Sequence, residues 1–226
     1  MGSFPQSIVH YLPVTDHDER WGIVCTTAGY QNVPPGSPYP LTQHPDSYSF
    51  TRSRGRVLGE YQLLYIVSGQ GEFRSASSPA APVKAGTVVM LFPDEWHTYA
   101  PDPETGWEEW WVGFRGENID RRVAEGFFSP KTPLLHIGHS AGIVSCYQEI
   151  IRSAEEERKG FQQLVTGIVL HLLGSVLFKR DNLQYLDNPI VEKINRAREM
   201  MRRHIGDNLP PEEIARRLNI GYTWFR

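Results

Sequence analysis

Between residues 60 and 114 the hydrophobic positions come in short runs cut by glycine and proline, and helical spacing is missing from the whole stretch. Residues 60–68 (EYQLLYIVS) read as a strand, Gly69-Gln70-Gly71 as a tight turn and 72–75 as the returning hairpin partner. Ala85-Gly86 opens a strand at 87–92 (TVVMLF), Pro93 closes it, and 97–100 forms the next. A polar turn at 101–106 leads into 107–114 (WEEWWVGF). Upstream, residues 21–30 are β-rich. Pro34, Pro35, Pro38, Pro40 and Pro45 then forbid helix interior and central strand, which predicts a long irregular loop lying over another part of the molecule. Residues 1–20 lack periodicity and read as an extended arm. Short strands at this spacing are expected of a β-sandwich or barrel.

Beyond Ser129 the apolar period lengthens to that of a helix. Ser140 suits an N-cap, and Ile143, Tyr147, Ile150, Ile151 and Ala154 share one face. The charged stretch 155–159 and Gly160 break this helix, and 161–178 forms a second that is apolar nearly all round, so it must be buried against the barrel, a second copy, or both. Leu164, Ile168, Leu172 and Val176 recur four apart, and Gly167 and Gly174 would let a partner helix approach closely, a pattern that suits either a homodimer or packing onto the barrel. Asn188-Pro189 starts a third helix with Ile190, Ile194, Ala197, Met201 and Ile205 as its buried stripe and Gly206 as its end. In 211–226 (PEEIARRLNIGYTWFR) Pro211, Glu212 and Glu213 suit a first helical turn. Ile214 and Leu218 face inward, Asn219 tolerates the left-handed turn, and the next helix begins near Tyr222, with Trp224 early in it.

Composition narrows the class. The 226 residues are 40% hydrophobic and 22% charged, enough to bury a core. Cys25 and Cys146 stand alone, which speaks against a disulfide framework or cysteine zinc site and for a reducing cytoplasm. Residues 1–10 carry no basic cluster followed by an apolar stretch, so no secretion signal is expected, and no run is read as long enough to span a membrane. The net charge of -3 divides into +3 over 189–226 and -6 over the rest, a basic tail on an acidic body.

Candidate chemistry concentrates on 107–114. Strand alternation puts Trp107, Glu109 and Trp111 on one face and Glu108, Trp110, Val112 and Phe114 on the other. An indole plate can cover the C–H face of a sugar ring while a neighbouring carboxylate accepts from its hydroxyls. Core packing of the same tryptophans, with Glu109 paired to an arginine, is the alternative reading of this strand.

The segments GEYQLLYIVSGQGEF, KAGTVVMLFPDEWHTY and GWEEWWVGFRG, in this order and spacing, resemble the N-terminal cupin-like domain of AraC-type transcription regulators over roughly residues 20–116. The resemblance implies an α+β chain: a double-stranded β-helix (jelly-roll) barrel, a helical linker and a partial helix-turn-helix. It divides the chain into an arm (1–20), an effector-binding domain (21–130), a linker and dimerisation region (131–186) and a DNA-binding piece (187–226). Arg54, Tyr99, Glu109 and Trp111 fall where the arabinose-responsive member of that family places ligand contacts, with glutamate at 109 in place of histidine. His97 and Trp107 complete the candidate effector site, and Tyr222, Trp224 and Arg226 are the candidate DNA contacts.

His97 also matches the last histidine of metal-binding cupins, so a metal-dependent enzyme acting on a sugar or small acid is the alternative. Residues 52–75 hold no histidine, Glu60 lacks companions, and His44 is the one nearby histidine upstream. The expectation is therefore no metal, no other cofactor and no catalysis. What is expected instead is a small effector, a sugar foremost. DNA is the expected partner of a regulator carrying the complete reader. This chain stops about one turn into the second helix of the motif, and is expected not to grip operator DNA on its own.

Overall fold

The computed structural model describes residues 7–39, 51, 53–186, 190, 193, 197, 201 and 210–225. They form two units, Met1–Arg180 and Asp181–Arg226. In chain order the elements are β1 (Ser7–Tyr11), α1 (Asp16–Glu19), β2 (Val24–Val33), β3 (Tyr61–Ser75), β4 (Ala81–Lys84), β5 (Thr87–Leu91), β6 (His97–Pro101) and β7 (Trp107–Arg115). α2 (Glu117–Ala124), β8 (Leu134–His136), α3 (Ala141–Glu156), α4 (Phe161–Leu186), α5 (Pro211–Arg217) and α6 (Tyr222–Phe225) follow.

Among the described residues every strand pair is antiparallel, and the main sheet runs β1-β2-β7-β3-β5-β8. β3 departs from the expected hairpin. It runs unbroken from Tyr61 to Ser75, its first part between β5 and β7 and its last part between β4 and β6. The glycine pair bends the strand from one sheet into the other instead of reversing it. A register shift separates Ile66 from Ser68, and Gly69 follows with φ +77. Bulge plus left-handed glycine is how a strand turns a barrel corner. Residues 72–75 pair with β6, leaving no ladder for them on 60–68. The result is a cupin-like double-stranded β-helix.

The alternation expected on β7 divides the molecule into two cores. Trp110, Val112 and Phe114 join α3 and α4 in one cluster, with Ile143, Tyr147, Ile150, Ile151 and Ala154 on α3 and Val165, Val169, Leu172, Leu173 and Val176 on α4. Trp107 and Trp111 face the barrel interior with Leu64, Ile66, Phe73, Val89, Leu91 and Tyr99. Ser140 caps α3 by accepting from the Ile143 amide at 3.4 Å. Tyr147 ties α3 to the barrel by donating to the Leu63 carbonyl at 3.0 Å.

α4 meets the sheet through one buried amide. Gln162 Oε1 accepts from the Cys25 N–H at 3.0 Å, and its Nε2 donates to the carbonyls of Cys25 (2.9 Å) and Pro13 (3.0 Å). This fills the place where the β2–β7 ladder slips between Cys25 and Thr27. A buried backbone group left unpaired there would be costly. Next to it, Gln163 donates to Asp18, which also closes the Thr15 capping box of α1.

Several expectations change. The arm is not simply extended: β1 adds to the sheet beside β2, and α1 follows it. α2 and β8 were not legible in the hydrophobic pattern. Leu172 and Val176 pack into the domain's own core, while Leu164 is exposed. Residues 161–183 are, against expectation, long and apolar enough to cross a membrane, with a mean hydropathy of 1.6 over their most apolar 18-residue window. The Val165, Val169, Leu172 and Val176 stripe nonetheless packs in the same cluster as Trp110 and Tyr147. In the second unit Ala197 is buried but Ile190 and Met201 are exposed, and Ile194, Ile205, Asn188 and Pro189 lie outside the described residues. α5 starts on Pro211 with Glu212 and Glu213 in its first turn, buries Ile214 and Ala215, and leads through Asn219 (φ 50) to α6.

Candidate functional site

One pocket opens into the barrel on the inward face of β7. It is a cavity of about 30 Å³, walled by Val9 and Tyr11 of β1, Thr27 and Gln31 of β2, Tyr39, Arg56, Gln62 of β3, Tyr99 of β6, and Glu109 and Trp111 of β7. β1 and β2 reach it because they extend the sheet beyond β7.

Glu109 is 2% exposed. Its Oε1 accepts from Gln31 Nε2 at 2.7 Å and from the Tyr39 hydroxyl at 3.1 Å, while Oε2 has no partner. Burial pushes its pKa up to about 7, and the bonds from Tyr39 and Gln31 only partly offset that rise.

Trp111 lies across Gly29, its direct cross-strand neighbour. A Cβ at Gly29 would sit 2.1 Å from the indole, so only glycine lets this ring lie flat against β2. Trp107 is 2% exposed and stands behind the pocket, edge-on to Tyr39 with ring centroids 5.7 Å apart and 6.1 Å from Tyr99.

The cation of the site is Arg56, not Arg54. Arg54 is exposed in a turn, where its carbonyl accepts from Trp96 Nε1. Arg56 bridges His97 through both backbone groups, which sends its side chain inward. Its guanidinium donates to the Tyr99 hydroxyl at 2.7 Å, to Gln62 Oε1 at 3.5 Å and to His97 Nε2 at 3.3 Å. Gln62 in turn donates to Glu60, which also accepts from Thr27, so the polar wall is one connected network.

His97 is 1% exposed and supports Arg56 from behind the wall. Burial, helped by the Arg56 charge, pushes its pKa down to about 4, so the ring is neutral. Nδ1 lies 3.0 Å from the Glu95 carbonyl and donates to it in the tautomer that leaves Nε2 to accept from Arg56. The lone pair a metal would need is thus taken by a guanidinium. Among the described residues no three His, Cys, Asp or Glu come together as a metal site, and His44 lies outside them.

Of the sequence candidates, Tyr99, Glu109 and Trp111 line one pocket, Trp107 and His97 back it, and Arg54 does not reach it. Gln31, Tyr39, Arg56 and Gln62 were missed. Gln31 could have been found by noting a buried-strand polar residue in the β2 run. Tyr39 comes from the proline-rich loop, whose expected covering role it fills, although Pro40 and Pro45 lie outside the described residues. Tyr222 is exposed at the start of α6, Trp224 lies within α6, and Arg226 is outside the described residues.

Residues 35–173 match the family described as AraC-like ligand binding domain. The raffinose operon transcriptional regulatory protein of Pediococcus pentosaceus is 29% identical over 94 residues, which are 40% of this chain and 34% of that protein. The chain therefore spans about a third of the length of the curated relative it matches. Among solved structures, the AraC-like transcriptional activator CuxR is 13% identical with a TM-score of 0.36, covering 96% of this chain and 78% of that one. An RmlC-like cupin with a double-stranded β-helix fold from Methanocaldococcus jannaschii is 14% identical with a TM-score of 0.33, covering 53% and 93%.

Proposed function

The chain belongs to the AraC-like ligand-binding domain family, and from that premise we propose that it is the sensing part of a cytoplasmic transcription regulator whose pocket takes an uncharged, hydroxyl-rich ligand, a sugar foremost. The observation that carries this reading is Glu109, a buried carboxyl with one oxygen unpartnered beside the Trp111 plate. Such a site offers an apolar face for stacking and an acceptor for hydroxyls. The role of the Pediococcus relative at a raffinose operon supports the same ligand class. Tyr39 fits as an internal stand-in, its hydroxyl giving Glu109 the kind of bond a sugar hydroxyl would give.

A melting-temperature screen against galactose, melibiose, raffinose, arabinose and glucose tests this. A ligand at a hundred times its dissociation constant stabilises by about 2.7 kcal/mol. The shift is expected to disappear in Trp111→Ala and Arg56→Ala and to survive in Arg54→Ala. A shift that depends on Arg54 and ignores Arg56 would place the ligand elsewhere.

We further propose that α4 pairs two copies. Its exposed positions Leu164, Gly167, His171, Gly174 and Phe178 succeed one another by three and four, the spacing of a coiled-coil seam. Nothing stands within 4 Å of a Cβ placed at Gly167 or Gly174, so a partner helix has room to approach. Sedimentation velocity should give a dimer for the native chain and a monomer for the Leu164→Arg, Phe178→Arg double variant with unchanged circular dichroism. A variant that stays dimeric moves the interface off α4. The α5–α6 pair is proposed as the opening of the DNA reader, with Tyr222, Trp224 and Arg226 toward DNA.

A further inference from the structure

The pocket contains a second unsatisfied acceptor that the sugar reading does not use. Gln31 and Glu109 are direct cross-strand neighbours on β2 and β7, each 2% exposed, and both line the pocket. Gln31 spends its N–H on Glu109 Oε1, which fixes the amide's orientation and leaves its own Oε1 without a donor. Glu109 Oε2 also lacks a hydrogen bond of good geometry, the Trp107 indole N–H being the resident donor that faces the carboxyl. Opposed residues of an antiparallel pair hold their Cβ atoms about 5 Å apart, so the two bare oxygens belong to one short edge of the wall. Buried acceptors are nearly always satisfied in folded proteins, and leaving one unmade is costly.

We infer that Gln31 is a specificity-determining residue, which with Glu109 selects a neutral ligand presenting two adjacent hydrogen-bond donors, the vicinal diol of a sugar ring. The inference rests on the sugar reading of the pocket and adds to it which hydroxyl pattern is read. A cationic donor fits worse, because the Arg56 guanidinium lines the same small space. A ligand with one donor leaves one acceptor bare, as does one whose second hydroxyl is methylated or deleted. Sites built around hydrogen bonds reject such analogues strongly.

The minimal probe is cis-1,2-cyclohexanediol, which has an apolar ring face and two neighbouring hydroxyls, compared with cyclohexanol and cyclohexylammonium. Chemical-shift titration of the Trp111 indole N–H reads binding in the native chain and in Tyr39→Ala, where the tyrosine hydroxyl no longer competes. The diol is expected to bind at least roughly tenfold more tightly than cyclohexanol. In folded Gln31→Met that advantage should fall below about threefold. Equal binding of diol and cyclohexanol, or an advantage that persists in Gln31→Met, overturns the role of Gln31 while leaving the pocket assignment standing. Preference for cyclohexylammonium overturns the neutral-ligand assignment. Absence of binding by any probe to either protein overturns the sugar reading together with this one.

Discussion

Gly69→Ala is expected to destabilise the barrel by about 3–5 kcal/mol, combining a left-handed non-glycine residue with a steric clash that cannot relax. Gly69 has φ +77, and a Cβ there would stand 2.1 Å from the Gly106 carbonyl oxygen and 2.6 Å from the Trp107 Cα. Both obstacles are backbone, at the entry to the strand that carries Glu109 and Trp111, so neither can swing aside as a side chain would. In a chain of this size the loss corresponds to a fall in Tm of about 10 °C or more. Gly22→Ala is the control, since its φ of +84 is similar but nothing stands within 4 Å. It should lose only the conformational part, about 1–2 kcal/mol. Equal melting temperatures for the two variants would mean that the corner tolerates a side chain.

Glu109→Gln is expected to make the ligand-free protein more stable at high pH while weakening sugar binding. The native carboxyl holds its proton up to about pH 7, against an ordinary value of 4.5 in the unfolded chain. Below 4.5 both states are protonated and burial adds no ionisation penalty. Between 4.5 and 7 the unfolded chain releases the proton first, so stability falls as pH rises, and above 7 the full penalty persists. That difference corresponds to about 3 kcal/mol. Glutamine imitates the protonated acid at every pH, so the variant should match the native protein at pH 4 and exceed it by about 2–3 kcal/mol at pH 8 in urea unfolding. His97 slopes the other way. Its pKa near 4 means that its contribution is present above 6.5 and lost as pH falls toward 4. The two opposing groups flatten the native profile over 4.5–6.5, so the difference between native and variant isolates Glu109. Equal stability at pH 8 would show that the carboxyl is better solvated than its surroundings indicate. Sugar affinity should fall at least roughly tenfold in the same variant, since an NH₂ or a single carbonyl replaces two acceptors.

The division of β7 was legible because its alternation is undisturbed: inward Trp107, Glu109 and Trp111 and outward Trp110, Val112 and Phe114 follow from a period of two. The five buried positions of α3 and its serine cap were legible for the same reason, a local period with a local stop. The β3 corner was not, because Gly-x-Gly supplies positive φ equally well for a reversal or a bend. Which one forms depends on β6, some twenty-five residues further on. Arg56 was not legible because position along the motif does not separate it from Arg54, whereas a backbone bridge to His97 decides which arginine turns inward. Gln31, Tyr39 and Gln62 become neighbours of Glu109 only when β2, β3 and the proline-rich loop meet, and no short-range pattern records that meeting. β1 is only five residues long, too short for a period to register, and is held by the edge of β2.

The buried amide of Gln162 makes the helical layer and the rim of the ligand cavity one mechanical linkage. One side chain grips the strand that supplies Thr27 and Gln31 and, through Pro13, the segment leading away from Val9 and Tyr11. Any displacement of β1 would therefore either strain the first turn of α4 or break the Gln162 bonds.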